Sequence, residues 1–433
     1  MPHLPTADPY VAGHGDPSYA VRHYDLDLAY VPDGNRLDGT AVLDLVVREE
    51  TARLVLDLAH LRATKVRLDG ARLRKWSARD HRLVLQLDGA VAAETSLRLT
   101  VVYGGSPRPV VDRVHGDAGW EELEDGVIVA AQPHGAPTWF PCNDRPDDKA
   151  TYRIDIAAPA GYTVVSNGSL ADRQRRASAE RWSWVMDRPM ASYLATVQIG
   201  RYATTQHDPR TRTVAPSDAD LAGSFDQQPA MLAFFERVFG PYPFDAYAAV
   251  ITDDDLEIPL ESQSLSTFGR NFCSSDWEQV RLVAHELAHQ WYGNAVTLRR
   301  WQDIWLHEGF ACYAEWLWSE ESGGPRTCDE WARDHHDRLA GLDQDLVLAD
   351  PGPELMFDDR VYKRGALTLH ALRTALGDDA FFDLLSGWAA DRAGASVTTE
   401  DFLAFASERT GTDVATVLGP WLYAAELPAF PRA

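Results

Sequence analysis

His285-Glu286-Leu287-Ala288-His289, with eighteen residues separating His289 from Glu308, is the stretch on which the reading of this chain turns. Two histidines four apart on a helix project from one face, one turn above the other. Each offers an imidazole nitrogen to a single Zn²⁺. Glu286 falls between them, where its carboxylate can face a metal-bound water without being a ligand. Zinc held with one open position needs a third protein ligand, and Glu308 is the candidate. The flanking sequence predicts a helix over 276–292. Ser275 and Glu278 have the spacing of a capping box. Val280, Val283, Ala284, Leu287, Ala288 and Trp291 recur at helical intervals, and Gly293-Asn294 supplies a stop. The plain alternative is two hydrogen-bonded histidines beside a solvated glutamate.

The 433 residues suffice for two or three domains with sizeable cores. A content of 45% apolar and 24% charged residues is that of an ordinary globular chain. The formal charge of −24 argues against a nucleic-acid partner, whose phosphates require a basic face. Residues 1–18 lack a basic stretch followed by an apolar run, so no secretory leader is expected. No run of eighteen apolar residues offers a membrane span. Cys142, Cys273, Cys312 and Cys328 are scattered without a Cys-x-x-Cys pair, which predicts reduced thiols and a cytoplasmic location.

The first two hundred residues read as β. Tyr24, Leu26, Leu28 and Tyr30 alternate with polar residues, as do Leu83, Leu85 and Leu87, then Leu97, Leu99 and Val101, with Gly-containing turns between them. Strands are predicted at 151–156, 162–165 and 182–186, in a large antiparallel structure. The β pattern fades after Gly200. Helices are predicted at 231–239, from Glu308 through Leu317, and at 367–376, 380–390 and 402–408, the last opened by a Thr398-x-x-Asp401 cap.

Further segments carry a resemblance. The 285–289 motif, with Glu308 inside Trp305-Leu306-His307-Glu308-Gly309-Phe310-Ala311, resembles the gluzincin aminopeptidases, the family of aminopeptidase N. Phe239-Gly240-Pro241-Tyr242-Pro243-Phe244 is similar to the segment before that family's exopeptidase motif. Leu260-Glu261-Ser262-Gln263 is similar to the motif itself in its Leu-Glu-Thr-Gln form. Val361-Tyr362-Lys363-Arg364-Gly365-Ala366 resembles the segment of the catalytic tyrosine. Phe140-Pro141-Cys142-Asn143-Asp144 with Lys149-Ala150-Thr151 resembles part of the N-terminal domain.

The resemblance, from about Tyr24 onward, implies an α+β multidomain fold. An N-terminal antiparallel β-sandwich or saddle domain (1–203) precedes a mainly helical thermolysin-like zinc metallopeptidase domain (204–433). It implies one zinc per chain on His285, His289 and Glu308, with Glu286 as base and proton shuttle and Tyr362 as donor to the oxyanion. Glu261 and Gln132 are implied to hold the amine of peptide substrates with a free N-terminus. Glu315, two turns past Glu308, is expected to orient a ligand imidazole. Without the resemblance, Glu261 and Gln132 read as polar loop residues and Tyr362 as a packing aromatic. Departures fall at His307, where the family usually has Asn, at Ile258-Pro259, at Ser262 and at Pro137. They bear on cleft shape and preference. The long helical C-terminal domain of many relatives is expected to be missing, leaving a cleft that is open or covered by another subunit. A zinc endopeptidase, an epoxide hydrolase on the same scaffold and a non-catalytic peptide-binding protein are the alternative readings. No motif encodes the preferred first residue, the physiological substrate or the oligomeric state.

Overall fold

In the computed structural model, which describes residues 8–176 and 178–431, the strand Tyr19–Val31 is the centre of the largest sheet. Tyr24, Leu26, Leu28 and Tyr30 are buried while Asp27 and Ala29 face solvent, so the alternation seen in sequence is a core face and an outer face. The strand pairs antiparallel with Arg36–Val47, Leu26 lying opposite Ala41. On its other side it pairs with Ala150–Pro159, Leu26 opposite Ile154, and this pairing is parallel. The large antiparallel structure expected from the sequence thus includes one parallel pairing: the strands are far apart in sequence, and a long connection permits what a hairpin forbids. Ser169–Arg175, Ala179–Met190, Ser96–Gly105 and Arg62–Asp69 complete seven strands. A five-stranded sheet (Thr163–Ser166, Val197–Gly200, Gly126–Ala130, Gly116–Leu123, Val110–Asp112) and a three-stranded one (Thr51–Asp57, Arg82–Val91, Leu73–Arg79) accompany it. Of the stretch 1–18 read for a leader, residues 1–7 lie outside the described residues.

Strands do not end at Gly200. Ala203–Gln206, Thr211–Ala215, Tyr247–Ile251 and Leu265–Phe268 form a four-stranded sheet whose last two pairings are parallel. Tyr-Ala-Ala-Val-Ile at 247–251 is buried throughout. A strand covered on both faces shows no alternation, which is why the pattern was lost there.

Eight helices follow among the described residues: α1 (Gln228–Phe239), α2 (Trp277–Ala288), α3 (Trp305–Glu321), α4 (Cys328–Ala340), α5 (Asp359–Leu376), α6 (Asp378–Asp391), α7 (Thr399–Thr410) and α8 (Val414–Tyr423). Thr398 and Asp401 form the expected capping box of α7. The box expected at Ser275 does not form; Asp276 is the N-cap, without a side-chain capping bond, and its N–H donates to Ser274 Oγ at 3.1 Å. Helix α2 also ends four residues earlier than predicted, with His289 at its C-cap. Helices α4 and α8 escaped the periodicity. The first is mostly polar, burying only Cys328, Ala332, His335 and Leu339, and the second contains Pro420. Among the described residues no helix is long and apolar enough to cross a membrane.

Helices α3 and α5 touch backbone to backbone. A β-carbon on Gly365 would stand 2.7 Å from the Cα of Gly309, and one on Gly309 would stand 2.8 Å from the Cα of Gly365. Both are closer than packed atoms tolerate, so only glycine fits either position. Gly365→Ala is expected to push the helices apart and to cost about 1–3 kcal/mol in chemical denaturation. Gly419→Ala, where nothing stands within 4 Å of the added carbon, is expected to be neutral or slightly stabilising.

Candidate active site

Helix α2 presents His285 and His289, and α3 presents Glu308 from its first turn. The two Nε2 atoms lie 3.1 Å apart, and each lies 3.4 Å from Glu308 Oε2. All three side chains are buried. The outer nitrogens are already engaged. His285 Nδ1 meets Glu315 Oε1 at 2.7 Å, and His289 Nδ1 donates to the Tyr292 carbonyl at 3.1 Å. A carbonyl only accepts, so the proton of His289 sits on Nδ1 and Nε2 turns a lone pair inward. Burial alone would raise the Glu315 carboxyl, but Lys363, Arg281 and His285 hold it far below its usual value. As an ionised acceptor it fixes the same tautomer on His285.

Three electron-rich atoms thus face one point from which water is largely excluded. Without a metal a proton takes that place: burial opposes protonation of His289, yet Glu308 and Glu261 push it up to about 10. A divalent cation fills the same place. Tetrahedral zinc with bonds of about 2.0–2.1 Å sets its ligand atoms about 3.3 Å apart, which the 3.1–3.4 Å triangle matches. The donor set is that of a single zinc site.

Glu286, next along α2, is 4% exposed, and its Oε2 has no hydrogen-bond partner. Burial pushes its carboxyl up to about 8 against the pull of His285, with Glu261 adding to the rise. A cation on the neighbouring triad lowers it again and favours the carboxylate. Tyr362, near the start of α5, lies almost parallel to the His285 ring at 6.1 Å between centroids. Burial and the charges of Glu308, Glu261 and Glu286 keep its hydroxyl protonated, and so a donor.

Glu261 is buried beside the triad, in the loop before the strand Leu265–Phe268. Gln132, which reaches in from the β-rich part, donates from Nε2 to Glu261 Oε1 at 2.7 Å. All eight residues named from the sequence, Glu315 among them, therefore meet in one place.

Several positioning residues were not named. Gln290 accepts from Ser264 N–H at 2.7 Å and donates to the Ser262 carbonyl at 3.1 Å. Asn294 donates to the carbonyls of Glu261 and Ser262 at 3.3 and 3.2 Å. Together they lash the Glu261 loop to the end of α2. Their signal was two amides among apolar neighbours, Trp291, Tyr292, Ala295 and Val296. Asn294 had been read only as a helix stop. His307 is buried, with burial and His289 lowering it to about 3, and its neutral Nε2 accepts the Leu298 N–H at 2.8 Å. An imidazole here ties the α3 start to the segment Thr297–Leu298.

Two family models match the chain in sequence order. The Peptidase M1 N-terminal domain covers residues 20–194, and the Peptidase family M1 domain covers residues 224–421. The chain belongs to peptidase family M1. Among relatives, it is 26% identical to Aminopeptidase M1-A of Oryza sativa subsp. japonica over 93% of this chain and 50% of that protein. It is 28% identical to Aminopeptidase N of Lactococcus lactis subsp. lactis over 71% of this chain and 40% of that protein. The chain thus spans half or less of the length of these relatives. The crystal structure of an M1 zinc metallopeptidase from Deinococcus radiodurans superposes with a TM-score of 0.88 at 29% identity, covering 99% of both chains. A mutant of that enzyme bound to a Tyr-Ser-Ala substrate superposes with a TM-score of 0.87 at 29% identity over 99% of both.

In a family M1 site built this way, the partner of His285 matters to the metal. Glu315→Gln keeps the shape but lets the imidazole choose its tautomer. It is expected to weaken zinc binding by about 10–100-fold, read by competition with a chromophoric chelator. Glu321→Gln, at the exposed end of the same helix, is expected to leave the affinity unchanged.

Proposed function

We propose that this protein is a zinc aminopeptidase, which hydrolyses the first peptide bond of peptides with a free N-terminus. The observation that carries the reading is the Gln132–Glu261 pair, 2.7 Å apart, beside the convergent triad. His285, His289 and Glu308 hold the metal. Zinc, when bound, supplies Lewis acidity that polarises the scissile carbonyl and makes water nucleophilic at neutral pH. Glu286 takes the proton of the attacking water on its unpartnered Oε2 and delivers it to the departing nitrogen. Tyr362 donates its hydroxyl proton in a hydrogen bond to the oxygen on which charge develops. Glu261 accepts from the terminal ammonium, with Gln132 holding the carboxylate in place. A fixed carboxylate makes one register win, the one with the first peptide bond at the metal. An endopeptidase on this scaffold has no use for that ammonium partner, and an assay on a lipid epoxide separates the epoxide-hydrolase reading.

Two features of organisation belong to the same reading. We divide the chain at 203/204: the strand Val197–Gly200 belongs to the five-stranded sheet, and Ala203–Gln206 to the sheet beside the helices. We assign the protein to the cytoplasm, in keeping with four cysteines that are all free.

Acetylating the substrate amine should lower kcat/KM by about ten- to a hundredfold, the worth of a charge-assisted pair of roughly 1.5–3 kcal/mol. Equal cleavage of free and acetylated peptides would transfer the assignment to an endopeptidase. Glu286→Gln should retain zinc and lose about 10²–10⁴ in kcat. Tyr362→Phe should lower kcat much more than it raises KM, because its bond to the oxyanion forms in the transition state. Steady-state kinetics on aminoacyl fluorogenic substrates, with metal analysis of each variant, reads all three.

A further inference from the structure

Apart from the His285 triad, a second convergence of metal-ligand side chains lies in the β-rich part. The hairpin joining Val110–Asp112 to Gly116–Leu123 carries Asp112 and His115. The loop after Gly126–Ala130 carries His134. Each of the three offers a ligand atom, and these atoms lie within 4.8 Å of one another. Glycines make the approach possible. A β-carbon on Gly135 would stand 2.3 Å from the Gly119 nitrogen, and one on Gly119 would stand 2.4 Å from Thr138 Oγ1. The loop therefore lies flat on the strand, stitched there by the Trp120 N–H donating to Thr138 Oγ1 at 2.9 Å.

His134 is 2% exposed, and neither of its ring nitrogens has a partner. His115 Nε2 is also buried and lacks a well-formed hydrogen bond, with the Pro353 carbonyl near that ring. Each such atom is costly to bury unless something meets it, and three in one cluster call for an occupant. Asp112 Oδ1 accepts the N–H groups of Val114 and His115 at 2.8 and 3.0 Å, which fixes the turn. Its half-exposed carboxylate opens the cluster to solvent. His14 is near, 6.0 Å from His134 between ring centroids, but its Nδ1 is engaged with Asp144 at 2.8 Å. Burial lowers the pKa of both His115 and His134, so both are neutral at neutral pH, the form that binds metal.

We propose that Asp112, His115 and His134 form a second divalent-cation site. Two imidazoles and one carboxylate suit a transition ion such as Zn²⁺ or Co²⁺ rather than Mg²⁺ or Ca²⁺, which prefer all-oxygen shells. A cation there ties the hairpin to the loop that carries Gln132, two residues before His134. It thereby stiffens one half of the Gln132–Glu261 pair. That consequence rests on the aminopeptidase reading; the metal count does not.

The test is metal counting on the folded, zinc-loaded protein after equilibrium dialysis against Zn²⁺. Two equivalents per chain are expected for the wild type and one for His134→Ala. Asp112→Asn, a change at the half-exposed rim, guards against a folding defect in the His134 variant and is also expected to lose the second equivalent. Co²⁺ added to wild type that holds a single equivalent of zinc should give visible ligand-field absorption that Asp112→Asn lacks. One equivalent in the wild type, or two retained in both variants, overturns the proposal and leaves His134 to a buried water. Peptide cleavage by the same samples is scored separately, so a failed metal count and a failed aminopeptidase assignment remain distinct.

Discussion

Two imidazole nitrogens and a carboxylate oxygen that face one another inside a protein need a cation or a proton between them, and the surrounding structure holds them in place for it. The Nε2 atoms of His285 and His289 and Glu308 Oε2 can sit 3.1–3.4 Å apart because every other polar atom of those rings is spoken for. Glu315 and the Tyr292 carbonyl fix the imidazoles, Arg281 fixes Glu315, and the charge of Lys363 keeps it ionised. Without a cation the cluster is an electrostatic debt in a dry place. With one, the two helices and the ligands they carry are tied to a single point.

The two elements that complete the site are brought in by opposite means. Tyr362 arrives through absence, since Gly309 and Gly365 have no side chains and α5 can lie directly on α3. Gln132 arrives through attachment, on a loop pinned to the strand Gly116–Leu123 by Thr138 and by two glycines. Close approach of backbones is costly to sequence, because it forbids nearly every residue type, but it gives positions that thermal motion disturbs little. Glu261 is held by a third device, the side-chain amides of Gln290 and Asn294.

Much of this was legible in the sequence, for reasons particular to each element. The 285–289 motif was readable because a helix converts a spacing of four into a shared face. The strand at Tyr24 to Tyr30 was readable because one of its faces is wet. Where both faces are covered, as at 247–251, alternation vanishes and the strand was missed. The parallel partnership of Tyr19–Val31 with Ala150–Pro159 left no local trace, since register between distant strands is settled by packing. The capping box at Ser275 had the right letters one position too early for the helix that formed. Glu261, Gln132 and Tyr362 were found only through resemblance. Nothing in their own neighbourhoods separates them from loop polars and packing aromatics. Gln290 and Asn294 act through carbonyls in a different loop, a relation that a linear reading does not contain.

Those two amides set a length. They connect the end of α2 to the Glu261 loop through contacts of 2.7–3.3 Å, so the span from that carboxylate to the triad is held by rigid groups. The arrangement is a ruler with Glu261 at its zero and the metal at its first graduation. On the aminopeptidase reading, it measures the backbone between the terminal nitrogen and the carbonyl to be cut, whatever side chain hangs between them. A terminus built from a β-amino acid carries one more carbon in that interval, and it overshoots the mark even though its amine, charge and side chain are all acceptable.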